Sequence, residues 1–279
     1  MSYFPIERFS ENGLAISEGF YNSVHEIDPI LVGIQAIISI LLAKYGVDAP
    51  CSTPHEAMTI GYTALIQKNR TWGGEVYDAI KQIPAFMTLI GNARNSEIFQ
   101  RLRPGSVPGV AAGGYGMRID NPGEEKFRAQ WHQEFPSQLR SIDGVVFWTP
   151  LLAVTPDMGP VEIAVGSHKE GLIPVYEDDA GVGKSGAYAL HLDGEQERLK
   201  KYKVVAPCTK PGDLVLMDFL TMHQSGINVS KIPRWSIQFR LFNFADPVGI
   251  KLGWRGSFAT GQKFSDLVPE LVATKSSTL

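Results

Sequence analysis

Cysteine is almost missing from this chain: of 279 residues only Cys51 and Cys208 carry a thiol, and they lie far apart. Neither belongs to a Cys-x-x-Cys pair, which excludes a zinc knuckle and a disulfide framework and fits a reducing compartment. An excess of one charge is also lacking. Lys and Arg number 26 against 29 Asp and Glu, a formal net charge of −3, so the basic face of a dedicated nucleic-acid binder is not expected. The densest basic run, Arg198–Leu199–Lys200–Lys201–Tyr202–Lys203, follows Glu195 and Glu197. It reads as a solvated surface segment, with a phosphate-docking patch as the alternative. No uninterrupted apolar run reaches the roughly 20 residues of a membrane span. The most apolar stretch, Ile30–Ala43, is broken by Gln35 and Ser39 and reads as a buried helix. The first residues, Met1–Arg8, lack the basic start and apolar run of a signal peptide, so a cytoplasmic location is expected. No motif speaks to oligomeric state.

What is present divides into two textures within one expected domain, 1–279. Up to about residue 105 the apolar spacing is mostly helical: Ile30, Ile34, Ile37, Ile38 and Leu41 recur at threes and fours. Thr53–Pro54–His55–Glu56 has a helix-start pattern, with Thr53 as cap, Pro54 in the first helical position and Glu56 closing a capping box. A further helix is expected over 74–93, divided at Pro84. From 106 to 250, short apolar runs alternate with turn signals such as Pro104–Gly105, Asn121–Pro122–Gly123, Asp143–Gly144 and Pro211–Gly212. Expected strands are Tyr115–Ile119, Gln130–Phe135, Val145–Val154, Leu214–Phe219 and Arg234–Phe242. Many short strands behind a helical portion point to a mainly β sandwich or jelly roll with helices packed outside. The segment 177–194 reads as a long loop that could serve as a lid, and 251–279 as a C-terminal extension.

Residues 130–135 are Gln-Trp-His-Gln-Glu-Phe. On a strand, alternate side chains share a face, so His132 and Glu134 point the same way and Gln130 joins them. An imidazole and a carboxylate at i and i+2 can grip one metal, and His223, after the apolar run Leu214–Phe219, supplies a second imidazole. Two histidines and one carboxylate on one face of an octahedron leave three positions open, the arrangement of non-haem Fe(II) oxygenases. Taken alone, His-x-Glu is weak, and an ordinary buried histidine bonded to Glu134 is the better reading. The odds change at Arg234 and Ser236, which open the last strand on a common face: a guanidinium holds a carboxylate through parallel hydrogen bonds and a hydroxyl adds another.

With these residues in view, the chain resembles the phytanoyl-CoA dioxygenase family of Fe(II)/2-oxoglutarate oxygenases over roughly 110–245. The resemblance rests on the His132-x-Glu134 segment, Phe147–Trp148–Thr149–Pro150–Leu151, the loop Gly159–Lys169 with its Gly166–Ser167–His168, Pro211–Gly212–Asp213, and His223-x-Ser225–Gly226-x-Asn228 leading to Arg234-x-Ser236. Glu134 stands where Asp is commoner in the family, and Val165 where Pro is usual. The resemblance implies a double-stranded β-helix, cupin-like, with iron inside one end. It also implies 2-oxoglutarate held by Arg234 and Ser236, O2 as oxidant, and a small-molecule substrate that is hydroxylated with release of succinate and CO2. Gln130 is expected to orient a carboxylate or substrate and Trp148 to line the cosubstrate pocket. Arg118 and Arg240 are candidate substrate contacts, with a structural ion pair as the alternative for Arg240. Glu134 argues against a halogenase, which needs that ligand position free. Desaturation, epoxidation and ring formation use the same cofactors.

His191–Leu192–Asp193 also matches His-x-acid, but it lies too close to His223 to leave room for intervening strands and runs into Asp193–Gly194, a turn signal. His168 reads as structural. Gly113–Gly114–Tyr115–Gly116 lacks dinucleotide-fingerprint spacing. Two rivals remain: a hydrolytic or isomerising metal enzyme on a cupin-like barrel, and a non-catalytic small-molecule binder.

Overall fold

A computed structural model describes residues 4–177, 190–256 and 264–273. Among the described residues eleven strands appear: β1 Leu14–Ser17, β2 Pro108–Val110, β3 Gly116–Asp120, β4 Gly144–Pro150, β5 Val161–Ala164, β6 Val175–Glu177, β7 Leu190–Leu192, β8 Val204–Val205, β9 Leu214–Asp218, β10 His223–Ser225 and β11 Arg234–Asn243. The larger sheet runs β1-β9-β4-β11-β2, with β3 also paired to β11; a smaller sheet runs β10-β5-β8, and β6 pairs β7. All these pairings are antiparallel. The expected jelly-roll core with helices on its outer side is what the chain forms.

The larger sheet is covered on both faces, which explains why β4 and β9 are buried at every position. Its outer residues, among them Val145, Phe147, Leu216, Trp235, Ile237, Phe239 and Leu241, pack against the helical layer. Trp235 ties the two together by donating its indole N–H to the Met58 carbonyl at 3.1 Å. Its inner residues, including Val146, Trp148, Val215 and Met217, face Val161 and Ile163 of the smaller sheet. The parity of each strand therefore separates a structural face from the face that holds the site.

Several local expectations need adjustment. The capping box at Thr53 and Glu56 forms, and Pro84 divides the expected helix by taking the first position of Pro84–Ile90 after Trp72–Ile80 has ended. The apolar run at Ile30–Ala43, however, belongs to a longer helix. Ser23–Tyr45 spans 23 residues, long and apolar enough by length and composition to cross a membrane. Here its inner face, Ile30, Ile34, Ile38, Leu41 and Leu42, is buried in the helical layer while Val32 and Ile40 stand exposed. The portion up to 105 is not purely helical either. Leu14–Ser17 joins the larger sheet beside β9, since a four-residue strand carries too little periodicity to announce itself.

The expected strand 130–135 does not form. His132 makes a single antiparallel bridge with His223, and a short helix, Glu134–Gln138, begins at once. Within 251–279, Phe264 packs against Phe135, so the described end of the chain contributes to the inner core. Most of the expected 177–194 loop, and with it the lid expectation, lies outside the described residues. His191 sits in β7 with its ring stacked on Tyr176.

Candidate metal centre and carboxylate site

His132 and His223 meet because each donates its backbone N–H to the other's carbonyl, at 3.0 and 3.1 Å. That exchange makes them directly opposed cross-strand neighbours with side chains on one face. Each imidazole is oriented from behind: His132 Nδ1 lies 2.7 Å from the Gln130 carbonyl and His223 Nδ1 2.9 Å from the Thr221 carbonyl. With Nδ1 as the donor, both rings carry the proton away from the centre and present an Nε2 lone pair inward, the tautomer a metal requires. Behind His223, the hydroxyl of Ser167 accepts the Met222 N–H at 2.8 Å, and β5 pairs with β10 along its length. The Gly166–Ser167–His168 turn thus braces the strand that bears the ligand, while His168 itself reaches Ser10 and stays away from the centre.

Glu134 enters from the first turn of its helix, whose start is pinned by its N–H to the Phe219 carbonyl at 2.8 Å. The residue between the two ligands turns the opposite way: Gln133 is buried and bonds the carbonyls of Gly171 and Leu220 and the N–H of Ile173. Alternation of faces holds over 132–134 although the strand does not continue. Glu134 Oε2 lies 3.6 Å from His132 Nε2 and 3.4 Å from His223 Nε2. The three potential ligand atoms are mutually within 4.8 Å and all three residues are buried. Oε2 has no hydrogen-bond partner in the protein, which is costly for a buried carboxylate oxygen unless a ligand supplies one. Burial pushes the Glu134 carboxyl up, but the Arg240 guanidinium and the two imidazoles more than offset it and hold the group well below its usual range. Burial and the neighbouring His132 lower His223. An anionic carboxylate beside two inward-facing imidazoles is the donor set for a divalent iron.

The second half of the site lies at the start of β11. Arg234 is 1% exposed and donates Nη2 to Asp120 Oδ2 at 2.7 Å. Its Nε and Nη1 have no partner, and neither does the buried hydroxyl of Ser236. Arg118, directly across from Ser236 in the β3–β11 register, grips the same Asp120 through Nε at 2.8 and 3.0 Å. Two guanidiniums around one carboxylate leave a buried excess of positive charge next to unused donors. That is the chemistry of a carboxylate-binding site and fits the far end of 2-oxoglutarate. Burial raises Asp120, while Arg118 and Arg234 hold it below its ordinary value. Asp120 was not singled out from sequence: its parity with Arg118 was visible, but its pairing with Arg234 depends on strand register.

A cavity of about 330 Å³ opens onto the triad. His132, Glu134, His223, Trp148, Arg118 and Arg240 line it. Arg234 and Ser236 do not; both are buried, and Arg234 is turned onto Asp120. Gln130 is corrected: its side chain is exposed and off the cavity wall, since the strand pleat that would have aligned it with His132 is absent. Only its carbonyl serves the site. Arg240 takes the ion-pair alternative, with Nε on Glu134 Oε1 at 2.9 Å. Unforeseen wall residues come from the helical portion, Tyr77 and Lys81, and from the Gly113–Gly116 segment. No local motif marks them, because a wall is assembled by packing.

The phytanoyl-CoA dioxygenase (PhyH) family model matches residues 9–236. The chain belongs to that family, whose members are dioxygenases using iron, 2-oxoglutarate and O2. Its similarity reaches well into the helical portion. Ectoine dioxygenase of Sphingopyxis alaskensis (strain DSM 13593 / LMG 18877 / RB2256) is 29% identical over 126 residues, a match spanning 40% of this chain and only 40% of that relative's length. Among solved structures, EctD from S. alaskensis with 2-oxoglutarate and 5-hydroxyectoine aligns with a TM-score of 0.55 at 18% identity, over 88% of this chain and 79% of that one. The α-ketoglutarate-dependent carbocyclase SnoK from nogalamycin biosynthesis aligns at 0.54 and 14%, over 85% and 82%. The epimerase SnoN, in complex with Fe3+, α-ketoglutarate and nogalamycin RO, aligns at 0.56 and 14%, over 88% and 86%. At these identities the structural likeness is one of fold.

Proposed function

We propose that this protein is a single-domain hydroxylase of an unactivated C–H bond in a small molecule, releasing succinate and CO2. The observation that carries the reading is the buried triad: His132 Nε2, His223 Nε2 and Glu134 Oε2 converge within 4.8 Å, and Oε2 is left without a protein partner. Iron would be held by these three, and with 2-oxoglutarate and O2 it supplies the oxidising power that the side chains lack. The protein's own part is geometry. The His132–His223 bridge fixes the two imidazoles relative to each other, and Gln130 and Thr221 carbonyls keep their Nδ1 protons in place. Arg234 and Ser236 would receive the far carboxylate of 2-oxoglutarate. Asp120, itself gripped by Arg118, would set the guanidinium's position and offset part of its charge before the cosubstrate arrives. Trp148 and the apolar walls Val146, Val161 and Met217 exclude water from the reacting end of the cavity. Substrate would enter past Tyr77, Lys81 and the glycine segment.

A second reading keeps the cofactors and changes the outcome to desaturation, epoxidation or ring formation. A carbocyclase and an epimerase among the fold neighbours favour keeping it in play. The first test is anaerobic Fe(II) titration with 2-oxoglutarate, following the visible charge-transfer band of the pair in wild type and His132→Ala. A band present in the former and lost in the latter supports the reading. No band in iron-loaded wild type overturns it in favour of a hydrolytic or isomerising metal enzyme.

A further inference from the structure

Arg240 lines the cavity, yet its guanidinium is occupied at every nitrogen. Nε donates to Glu134 Oε1 at 2.9 Å, Nη1 to the Gly114 carbonyl at 3.1 Å and Nη2 to Gln238 Oε1 at 3.2 Å. Glu134 is divided by this contact. One oxygen belongs to Arg240, while the other faces the two imidazole Nε2 atoms and has no hydrogen-bond partner.

We propose that Arg240 is a positioning residue that makes Glu134 a one-oxygen metal ligand, reserving Oε2 for the iron. The inference rests on the triad being the iron site, as argued above. A glutamate has one more rotatable bond than an aspartate, so its carboxylate can swing between presenting one oxygen and presenting both. A planar guanidinium held on three sides removes that freedom, because its Nε–H direction is fixed by the other two contacts. The clamp itself is rigid. Arg240 lies on β11, paired with β4 along most of its length, and Gln238 is its neighbour on the same strand face.

Gly114, which supplies one of these carbonyls, is closely packed. A Cβ at this position would sit 2.5 Å from Gln138 Oε1 and 3.0 Å from the Ala111 Cβ. Glycine thus gives this backbone an unobstructed path to Nη1; a larger residue would have to shift the flexible end of Gln138 and crowd Ala111. Gly114 thereby serves the proposed metal centre at one remove, through Arg240. Outer partners of this kind commonly change metal affinity by about 10–100-fold.

The test is anaerobic titration with Fe(II), read by quenching of intrinsic tryptophan fluorescence, in wild type, Arg240→Met and Arg240→Lys. Co(II) substitution reports coordination through its visible spectrum, and thermal unfolding of the metal-free proteins is measured alongside. Arg240→Met should weaken Fe(II) binding by about 10–100-fold and alter the Co(II) spectrum as the second oxygen is released. Arg240→Lys, which keeps a cation but not the fork, should recover part of both. If Arg240→Met does not fold, Gln238→Leu, which loosens only one arm of the clamp, should weaken Fe(II) binding several-fold. Fe(II) affinity within twofold of wild type and an unchanged Co(II) spectrum, in whichever of these variants folds, would overturn the proposal. A wild type that binds no Fe(II) would instead overturn the triad reading and this inference with it.

Discussion

Arg234 and Arg240 share one strand and one face, and both are buried, but the protein treats them differently. Arg240 is saturated by Glu134, Gly114 and Gln238. Arg234 has Asp120 on one nitrogen and nothing on the other two, beside a Ser236 hydroxyl that is also unpaired. Leaving buried donors unpaired costs on the order of 1–3 kcal/mol each, a cost a scaffold has no reason to carry. A saturated buried arginine is part of the framework; an under-satisfied one beside spare donors marks where a ligand belongs. On the proposed reading β11 divides the labour, with Arg240 fixing the metal ligand and Arg234 left to receive a carboxylate.

That division can be broken at several points. The largest effect is expected at the centre: His223→Ala should reduce iron-dependent succinate formation by more than the roughly 100-fold typical of outer partners, measured by single-turnover assay with matched iron loading. Next, Arg234→Ala should raise the 2-oxoglutarate requirement at least about 30-fold, the equivalent of the 2 kcal/mol lower bound for truncating a buried hydrogen-bonded charge partner. Iron affinity measured in parallel should change little, since Arg234 does not touch the triad. Equal losses in both would erase the contrast between the two ends.

Asp120→Asn sharpens the comparison further, because it strips the counter-charge from Arg234 and Arg118 together. Thermal stability should drop, by about 1–3 kcal/mol for buried charged groups losing a hydrogen-bonded partner, and saturating 2-oxoglutarate should restore part of it by supplying a carboxylate. Its pH dependence has a definite sign. Arg118 and Arg234 depress Asp120 in the fold against the upward push of burial, so the unfolded chain binds its proton first as pH falls. The stabilisation is therefore complete above the ordinary value of 3.8 and fades as pH drops through the depressed folded value. Urea midpoints for wild type and Asp120→Asn should differ by a constant amount from neutral pH to about pH 4 and then converge. The smallest effect is expected behind His223, where Ser167→Ala removes one acceptor for the Met222 N–H and should cost about 1 kcal/mol by denaturant titration.

Much of this site was legible in residue order. His132 and Glu134 could be placed on one face by parity, and the shared face of Arg234, Ser236, Gln238 and Arg240 follows from a strand long enough to carry its own signal. Parity served less well where the strand was short. Gln130 was misplaced because only His132 is bridged and the pleat does not extend back to it. Arg118 and Arg240, candidates for substrate contact, both line the cavity, and each is held there by a carboxylate, Asp120 and Glu134.

What the amino-acid order determined by itself is local: which residues alternate, where glycine and proline stop an element, and which side chains have metal-ligand or carboxylate-binding chemistry. These depend on backbone periodicity and side-chain identity over a few neighbouring positions. Tertiary structure alone decided that Asp120 meets Arg234, that Gly114 meets Arg240, and that Tyr77 and Lys81 wall the cavity. Those contacts are set by strand register and by how the helical layer lies on the sheet. Both follow from burying both faces of β4, β9 and β11 at once, a condition on the whole chain that no single segment carries.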